Sequence, residues 1–341
     1  MNARQRPSTR RVVGYSSLGA VGLVVAVAAF AAVTPPNLAA IASHPNPAAN
    51  YAEATARITA LQNAETPGWN PLCHTIFLTH GQKTARVIAF IHGYTNCPNQ
   101  FRQLGQQFYD LGYNVLIVPM PHQGLADVMN TELSKLTAEE MAAYADELVD
   151  ISHGLGDHVT LAGLSQGGVI AGWAAQTRPD LDQAVMMAPG FGVNPIPPQA
   201  TVLAANTFLA LPDIYLWWGS LVRFDPTPPP PPGPTGVQGY PRFSAHGLAQ
   251  QFRLGFAVQA LARQSAPTAH SILVVTNGAD LSVQNSVTAD LVNIWRAHGA
   301  ANITTYEFPQ NLQIDHDMID PNRDDQKVAV VYPKLIELIN Q

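Results

Sequence analysis

A serine flanked by glycines is the first candidate for chemistry in this sequence. Ser165 lies in the segment GLSQG (163–167), between a run with β character at 158–162 and a run of small apolar residues at 169–176. A sharp strand-to-helix turn forces its central residue into an unfavourable backbone conformation, and glycines on either side relieve the crowding. The pattern predicts a serine hydroxyl that points away from a sheet at the start of a helix.

A serine hydroxyl becomes a nucleophile only when a base removes its proton, and that base needs an orienting acid. In sheets with strand–turn–helix nucleophiles, the order along the chain is serine, acid, histidine. Asp280 follows a predicted strand, although it could also cap the helix that starts near Ser282. Of the eleven histidines, His316 has both the right order and a loop after a predicted strand. We therefore predict Ser165, Asp280 and His316 as a catalytic triad.

The oxyanion of an acyl-transfer reaction needs backbone donors near the serine. One is the N–H of Gln166, at a helix start whose dipole also favours negative charge. The second is expected from the segment FIHGYT (90–95), where Gly93 allows a tight turn that frees the Tyr94 N–H. His92 is expected to brace this loop rather than to catalyse.

Short apolar runs alternate with helical patterns along most of the chain. This alternation predicts an α/β fold with a mostly parallel sheet and helices on both faces. Thr137 and Glu140 form a capping-box pattern at a helix start. The predicted strands are 72–78, 86–91, 113–118, 158–162, 184–188, 272–276 and 303–308, and the predicted helices include 100–111, 137–153, 283–297 and 325–339.

An insertion at about residues 190–245 interrupts the alternation. It contains Trp217, Trp218 and a proline run at 228–232. Inserted after a core strand, it is expected to form a lid over the strand ends, where open α/β sheets bind ligands; an exposed loop is the alternative. Trp217, Trp218 and Phe224 are expected to shape an apolar acyl pocket, or else to form the small core of the lid.

The N-terminal segment 1–34 contains four arginines followed by an uncharged run at 12–33. The run is long for a signal peptide and long enough to span a bilayer, so we favour an uncleaved anchor over cleavage near Ala42. Both interpretations place the rest of the chain outside the cytoplasm, with a membrane as partner if the segment is retained. Residues 35–50 are predicted to be a linker without a contribution to the core, followed by one domain at 51–341.

The chain has two cysteines, Cys73 and Cys97, and export favours a disulfide between them. If strand 72–78 returns antiparallel through 86–91, Cys73 lies opposite the residues where the Tyr94 loop begins. Cys97 can then curl back to within disulfide distance. The bond would fix the segment that carries Tyr94.

Composition narrows the classes of function. In 341 residues, 47% are hydrophobic, only 12% are charged, and the net charge is −6. This leaves ample apolar material for a core and no basic surface for nucleic acid. No metal-binding motif is found, and neither a metal nor a cofactor is expected.

These motifs together resemble the carboxylesterase and monoglyceride-lipase group of bacterial α/β-hydrolases. HGYT (92–95) resembles the H-G-F-T oxyanion loop of that group, GLSQG matches its nucleophile elbow, and His316 with Asp317 resembles its base loop. YNVL (113–116) followed by MPHQG (120–124) resembles a further segment of the group, although MPHQ departs from the usual L-P-G-H. The similarity covers about residues 70–190 and 265–340.

The resemblance implies an α/β-hydrolase fold, with Tyr94 and Gln166 as oxyanion donors to a Ser165, Asp280 and His316 triad. The expected activity is hydrolysis of small-molecule carboxylic esters through an acyl-enzyme. A thioesterase or small-peptide hydrolase with the same triad is one alternative. A catalytically silent binding module with this fold is another.

Overall fold

The computed structural model describes residues 34–65, 68–218 and 239–341. The strands are β1 (Ile76–Leu78), β2 (Thr84–Ile91), β3 (Asn114–Ile117), β4 (Gly156–Leu164), β5 (Gln183–Met187), β6 (Tyr215–Trp217), β7 (Arg242–Ser244), β8 (Ser271–Asn277) and β9 (Ile303–Phe308). The helices are α1 (Tyr51–Ala64), α2 (Arg102–Asp110), α3 (Ala138–Leu155), α4 (Gln166–Thr177), α5 (Thr201–Ala210), α6 (Ala245–Ala262), α7 (Asn285–Ala297) and α8 (Val328–Ile339).

Seven strands form one sheet in the order β1-β3-β2-β4-β5-β8-β9. Each neighbouring pair is parallel except β1 and β3, which are antiparallel. Side chains of β2 alternate between two hydrophobic clusters: Val87 and Ala89 belong to one, and Ile88 and Phe90 to the other. Because both faces of the sheet are buried under helices, its central strands are mostly apolar. The predicted α/β architecture is confirmed.

Several predicted elements differ in extent or partner. The predicted strand 72–78 shrinks to β1, which pairs with β3 instead of folding back onto β2. The predicted helix 100–111 begins as a 3-10 turn at Pro98–Phe101 before α2. The capping box is present: the Glu140 N–H donates to Thr137 Oγ1 at 3.1 Å, and the Thr137 N–H donates to Glu140 Oε2 at 2.9 Å.

The described part of the insertion contains α5 and the antiparallel hairpin of β6 and β7. α5 packs on α6, the long helix that follows the insertion. Phe224 and the proline run 228–232 lie outside the described residues.

The expectation that residues 35–50 contribute nothing to the core is wrong. Ile41 and Ala48 are buried in the main hydrophobic cluster. The Ser43 hydroxyl donates to Asp146 Oδ1 of α3 at 2.6 Å, and the Ala48 N–H donates to a backbone carbonyl of the same helix. This segment, residues 35–50, is therefore a strap packed on α3.

The strap binds carboxylates that are already organised by a buried arginine. Arg178 is fully buried and contacts Asp146 at 3.1 Å, Asp150 at 2.6 Å and Asp180 at 2.8 Å. Hydrogen bonds from Arg178 lower the pKa of Asp180 to about 2. The Asn46 N–H of the strap donates to Asp150 at 2.8 Å. The strap is held by these polar bonds as well as by the burial of Ile41 and Ala48, and an apolar sequence pattern does not reveal the polar bonds.

Within the described ranges, no helix is long and apolar enough to cross a membrane. The uncharged run at 12–33 lies outside those ranges.

Candidate active site

Ser165 occupies a strained turn between β4 and α4, with φ 57° and ψ −113°. A Cβ at Gly163 would lie 2.0 Å from the carbonyl oxygen of Gly167, and a Cβ at Gly167 would lie 2.3 Å from that of Ile91. Both positions therefore exclude every residue except glycine. The Ser165 N–H donates to the Met187 carbonyl at 2.9 Å, which anchors the turn to β5.

Asp280 and His316 form a buried pair: His316 Nδ1 lies 2.7 Å from Asp280 Oδ2. The Asp280 side chain is fully buried, and its other oxygen accepts the N–H groups of Ser282 at 2.8 Å and Val283 at 3.1 Å. Asp280 thus orders the turn before α7 as well as contacting the histidine. The capping role considered from sequence is present, and the catalytic role stays a prediction.

Charge sets the protonation of this pair. Burial on its own lowers the His316 pKa, but the Asp280 carboxylate, together with Asp317 and Asp315, outweighs it and raises the pKa to about 9. Burial raises the Asp280 pKa, but the charge and hydrogen bond of His316 outweigh it and lower the pKa. Nδ1 must carry a proton to bond the carboxylate, so Nε2 is the nitrogen of neutral His316 that can accept one.

The three residues leave the same edge of the sheet. Ser165 follows β4, Asp280 follows β8 and His316 follows β9, and the carboxyl ends of parallel strands lie at one edge. Within the described residues, Ser165 makes no hydrogen bond to His316. The structure thus joins Asp280 to His316, with Ser165 on the same edge.

The loop after β2 has one amide without a partner in the part of the chain that the structure describes. The Gly93 N–H donates to Gln100 Oε1 at 2.9 Å, and the Thr95 N–H donates to Gln123 Oε1 at 2.9 Å. The Tyr94 N–H between them has no hydrogen-bond partner among the described residues. Two buried carboxamides thus hold the flanking amides, and the middle one is available to a ligand.

This loop is adjacent to Ser165. A Cβ on Gly93 would lie 3.7 Å from the Ser165 Cβ. The Gln166 N–H belongs to the first turn of α4, where backbone N–H groups have no partner within the helix. Amides from two elements therefore lie beside Ser165.

His92 braces the loop, as expected. Its Nε2 accepts the Met120 N–H at 3.0 Å, so Nδ1 carries the proton and donates to the Gly93 carbonyl at 2.9 Å. Burial lowers the His92 pKa to about 4, which keeps the ring neutral.

The predicted disulfide between Cys73 and Cys97 is present, with Cα atoms 5.1 Å apart. The predicted route to it is wrong, because Cys73 lies in a turn before β1 and β1 does not pair with β2. Cys97 immediately follows the Tyr94 loop, so the bond anchors the far end of that loop.

The insertion holds the same loop from the other side. Trp218 Nε1 donates to Thr95 Oγ1 at 2.7 Å, and the Tyr240 N–H donates to the Thr95 carbonyl at 2.6 Å. The Trp218 ring packs edge-on against Tyr94, with centroids 6.1 Å apart. Trp217 is half-buried in β6. The residues Gln100, Gln123 and Tyr240 were not predicted, because no local pattern marks a buried residue whose polar group binds a distant loop.

The sheet order and the strained serine turn define the α/β-hydrolase fold. Residues 82–230, less than half of the chain, match the family described as serine aminopeptidase, S33. No curated protein matches the sequence. Among the described residues, no group of three or more His, Cys, Asp or Glu side chains could hold a metal ion.

Solved structures with similar folds include several lipolytic enzymes. The monoacylglycerol lipase of Paleococcus ferrophilus is 17% identical with a TM-score of 0.56, covering 78% of this chain and 97% of its own. A structure reported for the metagenome-derived lipolytic enzymes LipS and LipT is 17% identical with a TM-score of 0.53, and the match covers 79% of this chain and 98% of that one. A soluble variant of monoglyceride lipase from Saccharomyces cerevisiae is 12% identical with a TM-score of 0.54, covering 78% and 90%. At these identities the likeness shows the fold.

Proposed function

We propose that this protein is a serine hydrolase that cleaves carboxylic esters of small molecules. The observation that carries the proposal is the buried Asp280–His316 pair, at 2.7 Å, on the sheet edge where Ser165 is held in its strained turn. The Tyr94 N–H, which no described residue accepts, supports acyl transfer in particular, since that reaction develops negative charge on a carbonyl oxygen.

In this mechanism the Ser165 Oγ attacks the ester carbonyl carbon while His316 Nε2 takes the hydroxyl proton. The N–H groups of Tyr94 and Gln166 bind the resulting oxyanion. When the tetrahedral intermediate collapses, the C–O bond breaks and His316 returns the proton to the departing alkoxide, which leaves as an alcohol. Water, deprotonated by His316, then attacks the acyl-enzyme, and the carboxylic acid leaves as Ser165 regains its proton.

Asp280 fixes the tautomer of His316 and stabilises the imidazolium formed in each step. It stays ionised throughout, because its pKa is lowered by His316 and both its oxygens accept hydrogen bonds. No metal or cofactor has a role in this chemistry.

The substrate class follows from the insertion and from the similar structures. We propose that residues 190–245 act as a lid, and that Trp217, Trp218 and Phe224 shape an apolar acyl pocket. The names of the similar structures, which include monoacylglycerol lipases, support esters with an apolar acyl chain. A peptide hydrolase with the same triad is the second candidate, because the matched family is described as serine aminopeptidase.

We propose that the domain functions outside the cytoplasm, anchored by residues 12–33 or released after cleavage. The disulfide is compatible with that location, since such bonds persist in oxidising compartments.

The experiment is a rate profile over p-nitrophenyl esters from acetate to palmitate, with aminoacyl p-nitroanilides alongside. We expect ester cleavage with a preference among chain lengths, and a loss on the order of 10⁴-fold or more in Ser165→Ala. Ser286→Ala, an exposed serine of α7, is the matched control and should retain full activity. Ester cleavage that survives in Ser165→Ala would contradict the proposal, and anilide cleavage without ester cleavage would favour the second candidate.

A further inference from the structure

Three glutamine side chains are buried around the nucleophile: Gln123, Gln166 and Gln251 are 1%, 0% and 2% exposed. They come from the loop after β3, the first turn of α4 and the middle of α6. A buried carboxamide is costly unless its donor and its acceptor both find partners. The partners of these three are therefore informative.

The three side chains form one continuous chain of hydrogen bonds. The Thr95 N–H donates to Gln123 Oε1 at 2.9 Å, and Gln123 Nε2 donates to Gln166 Oε1 at 3.4 Å. Gln166 Nε2 donates to Gln251 Oε1 at 3.2 Å, and Gln251 Nε2 donates to the Gly190 carbonyl at 2.8 Å. Each carboxamide accepts one bond and donates the next.

The ends of the chain fix its direction. Thr95 offers a backbone N–H, which can only donate, so Gln123 must present its oxygen there. Gly190 offers a carbonyl, which can only accept, so Gln251 must present its nitrogen there. With both ends set by backbone groups, each of the three carboxamides has one satisfied orientation.

This chain of hydrogen bonds connects the parts of the site that must be aligned for acyl transfer. It begins on the N–H of the residue that follows Tyr94 and passes through the side chain of Gln166, so it binds one proposed oxyanion-donor residue and the neighbour of the other. It ends on Gly190, whose N–H donates to the Ser165 carbonyl at 3.0 Å. A shift at any link therefore changes the position of a donor relative to the serine.

We propose that Gln251 is a positioning residue that aligns the oxyanion donors Tyr94 and Gln166 through this chain; the proposal rests on the proposed function above. Gln251 is the link that α6 contributes, and it closes the chain onto the loop after β5. A Cβ at Gly190 would lie 2.5 Å from Gln251 Nε2, so the contact requires glycine at 190.

The test compares Gln251→Met with Gln259→Met in the full chain. Methionine keeps the length of the side chain and removes both polar atoms, and Gln259 is a half-buried residue of the same helix outside the site. For Gln251→Met we expect kcat on the best p-nitrophenyl ester to fall about 10- to 100-fold, below the loss for a deleted oxyanion donor. KM should stay within about twofold, because ground-state binding does not use the donors.

A second readout reports on the oxyanion alone. A trifluoromethyl ketone of the same acyl chain forms a tetrahedral adduct with an active-site serine, so its affinity should fall by the same factor as kcat. Circular dichroism and Tm establish that Gln251→Met is folded. In Gln251→Glu the carboxylate still accepts from Gln166 but faces the Gly190 carbonyl without a donor, so it should show the same loss.

An unchanged kcat in folded Gln251→Met and Gln251→Glu would overturn this inference, as would an equal loss in Gln259→Met or unaltered ketone affinity. A Ser165→Ala variant run in parallel separates the two claims. If it loses activity while the Gln251 variants keep theirs, the positioning role fails and the proposed function stands. If it retains activity, the proposed function fails first.

Discussion

The two ends of α4 carry buried polar networks of opposite kinds. At its first turn, next to Ser165, the network consists of neutral carboxamides, and the Gln166 N–H has no partner among the described residues. About 18 Å away, at the far end of this twelve-residue helix, the network consists of charges: Arg178 and its carboxylates. We call the first turn of α4, where an N–H is available to a ligand, its open end, and the last turn, where Arg178 is neutralised by carboxylates, its closed end.

The neutral network and the charged network suit the two ends of α4 to different roles. A carboxylate at the first turn would compete with an oxyanion for the positive end of the helix dipole, whereas neutral amides position the loop and leave that field available. At the last turn, the cation of Arg178 complements the negative end of the dipole, and three carboxylates neutralise it. Substitutions at the open end should lower activity, and substitutions at the closed end should lower the free energy of unfolding.

The largest effect is expected at the open end, from the acid. Asp280→Asn should lower kcat/KM on the order of 10³- to 10⁴-fold, because an amide cannot hold the same tautomer of His316. Asp315→Asn, Asp317→Asn and Asp320→Asn should each cost less than about tenfold, with every variant assayed at its own pH optimum. If Asp317→Asn proved more damaging than Asp280→Asn, the acid would be misassigned.

At the closed end the effect should appear in unfolding and not in catalysis. Arg178→Met leaves Asp146 and Asp150 buried without their cation, and we expect the free energy of unfolding to fall by about 3–5 kcal/mol. Urea denaturation measures this, with Arg263→Met, an exposed arginine after α6, as control. The kcat of the folded protein should be unchanged, and a large loss of kcat would remove the division between the two ends.

The serine turn and the helix cap were more predictable from the sequence than the polar networks at either end of α4. Ser165, Asp280 and the capping box at Thr137 are set by local patterns and by chain order, so short windows of sequence carry them. The strap and the glutamine chain depend on contacts between residues far apart in the sequence, such as Ser43 with Asp146 and Gln166 with Gln251. A polar residue has no periodicity that marks it as buried. The pairing of β1 with β3 also joins distant segments and was not anticipated, and neither was the helix α6.

The strap provides a second test of stability at the closed end. A chain that begins at Ala48 loses the bonds from Ser43 and Asn46 to Asp146 and Asp150, together with the burial of Ile41. Relative to a chain that begins at Thr34, we expect unfolding to be easier by about 2–3 kcal/mol. Thermal unfolding of both chains measures the loss, and identical Tm values would show that the strap is dispensable.

The smallest expected effect is a shift in the pH dependence of activity. His316 must be neutral to take the serine proton, and its pKa is raised to about 9 by the neighbouring carboxylates. Activity should therefore rise with pH, and the midpoint of this rising limb of the pH–rate profile should lie above 6.5, the usual pKa of histidine. Asp317→Asn removes one of the charges that raise the pKa, so its limb should move to lower pH. Asp290→Asn, an exposed residue of α7, should leave the limb in place; an unmoved or alkaline-shifted limb in Asp317→Asn would contradict this electrostatic account.

The central claim is that Ser165 is the nucleophile and that His316 activates it. The most direct measurement is to react the folded protein with a fluorophosphonate and map the adduct by mass spectrometry. We predict one adduct, on Ser165, formed quickly by the unmodified protein, on the order of 10⁴-fold more slowly by His316→Ala, and not at all by Ser165→Ala. An adduct on a different serine, or labelling of Ser165 that does not depend on His316, would contradict the claim.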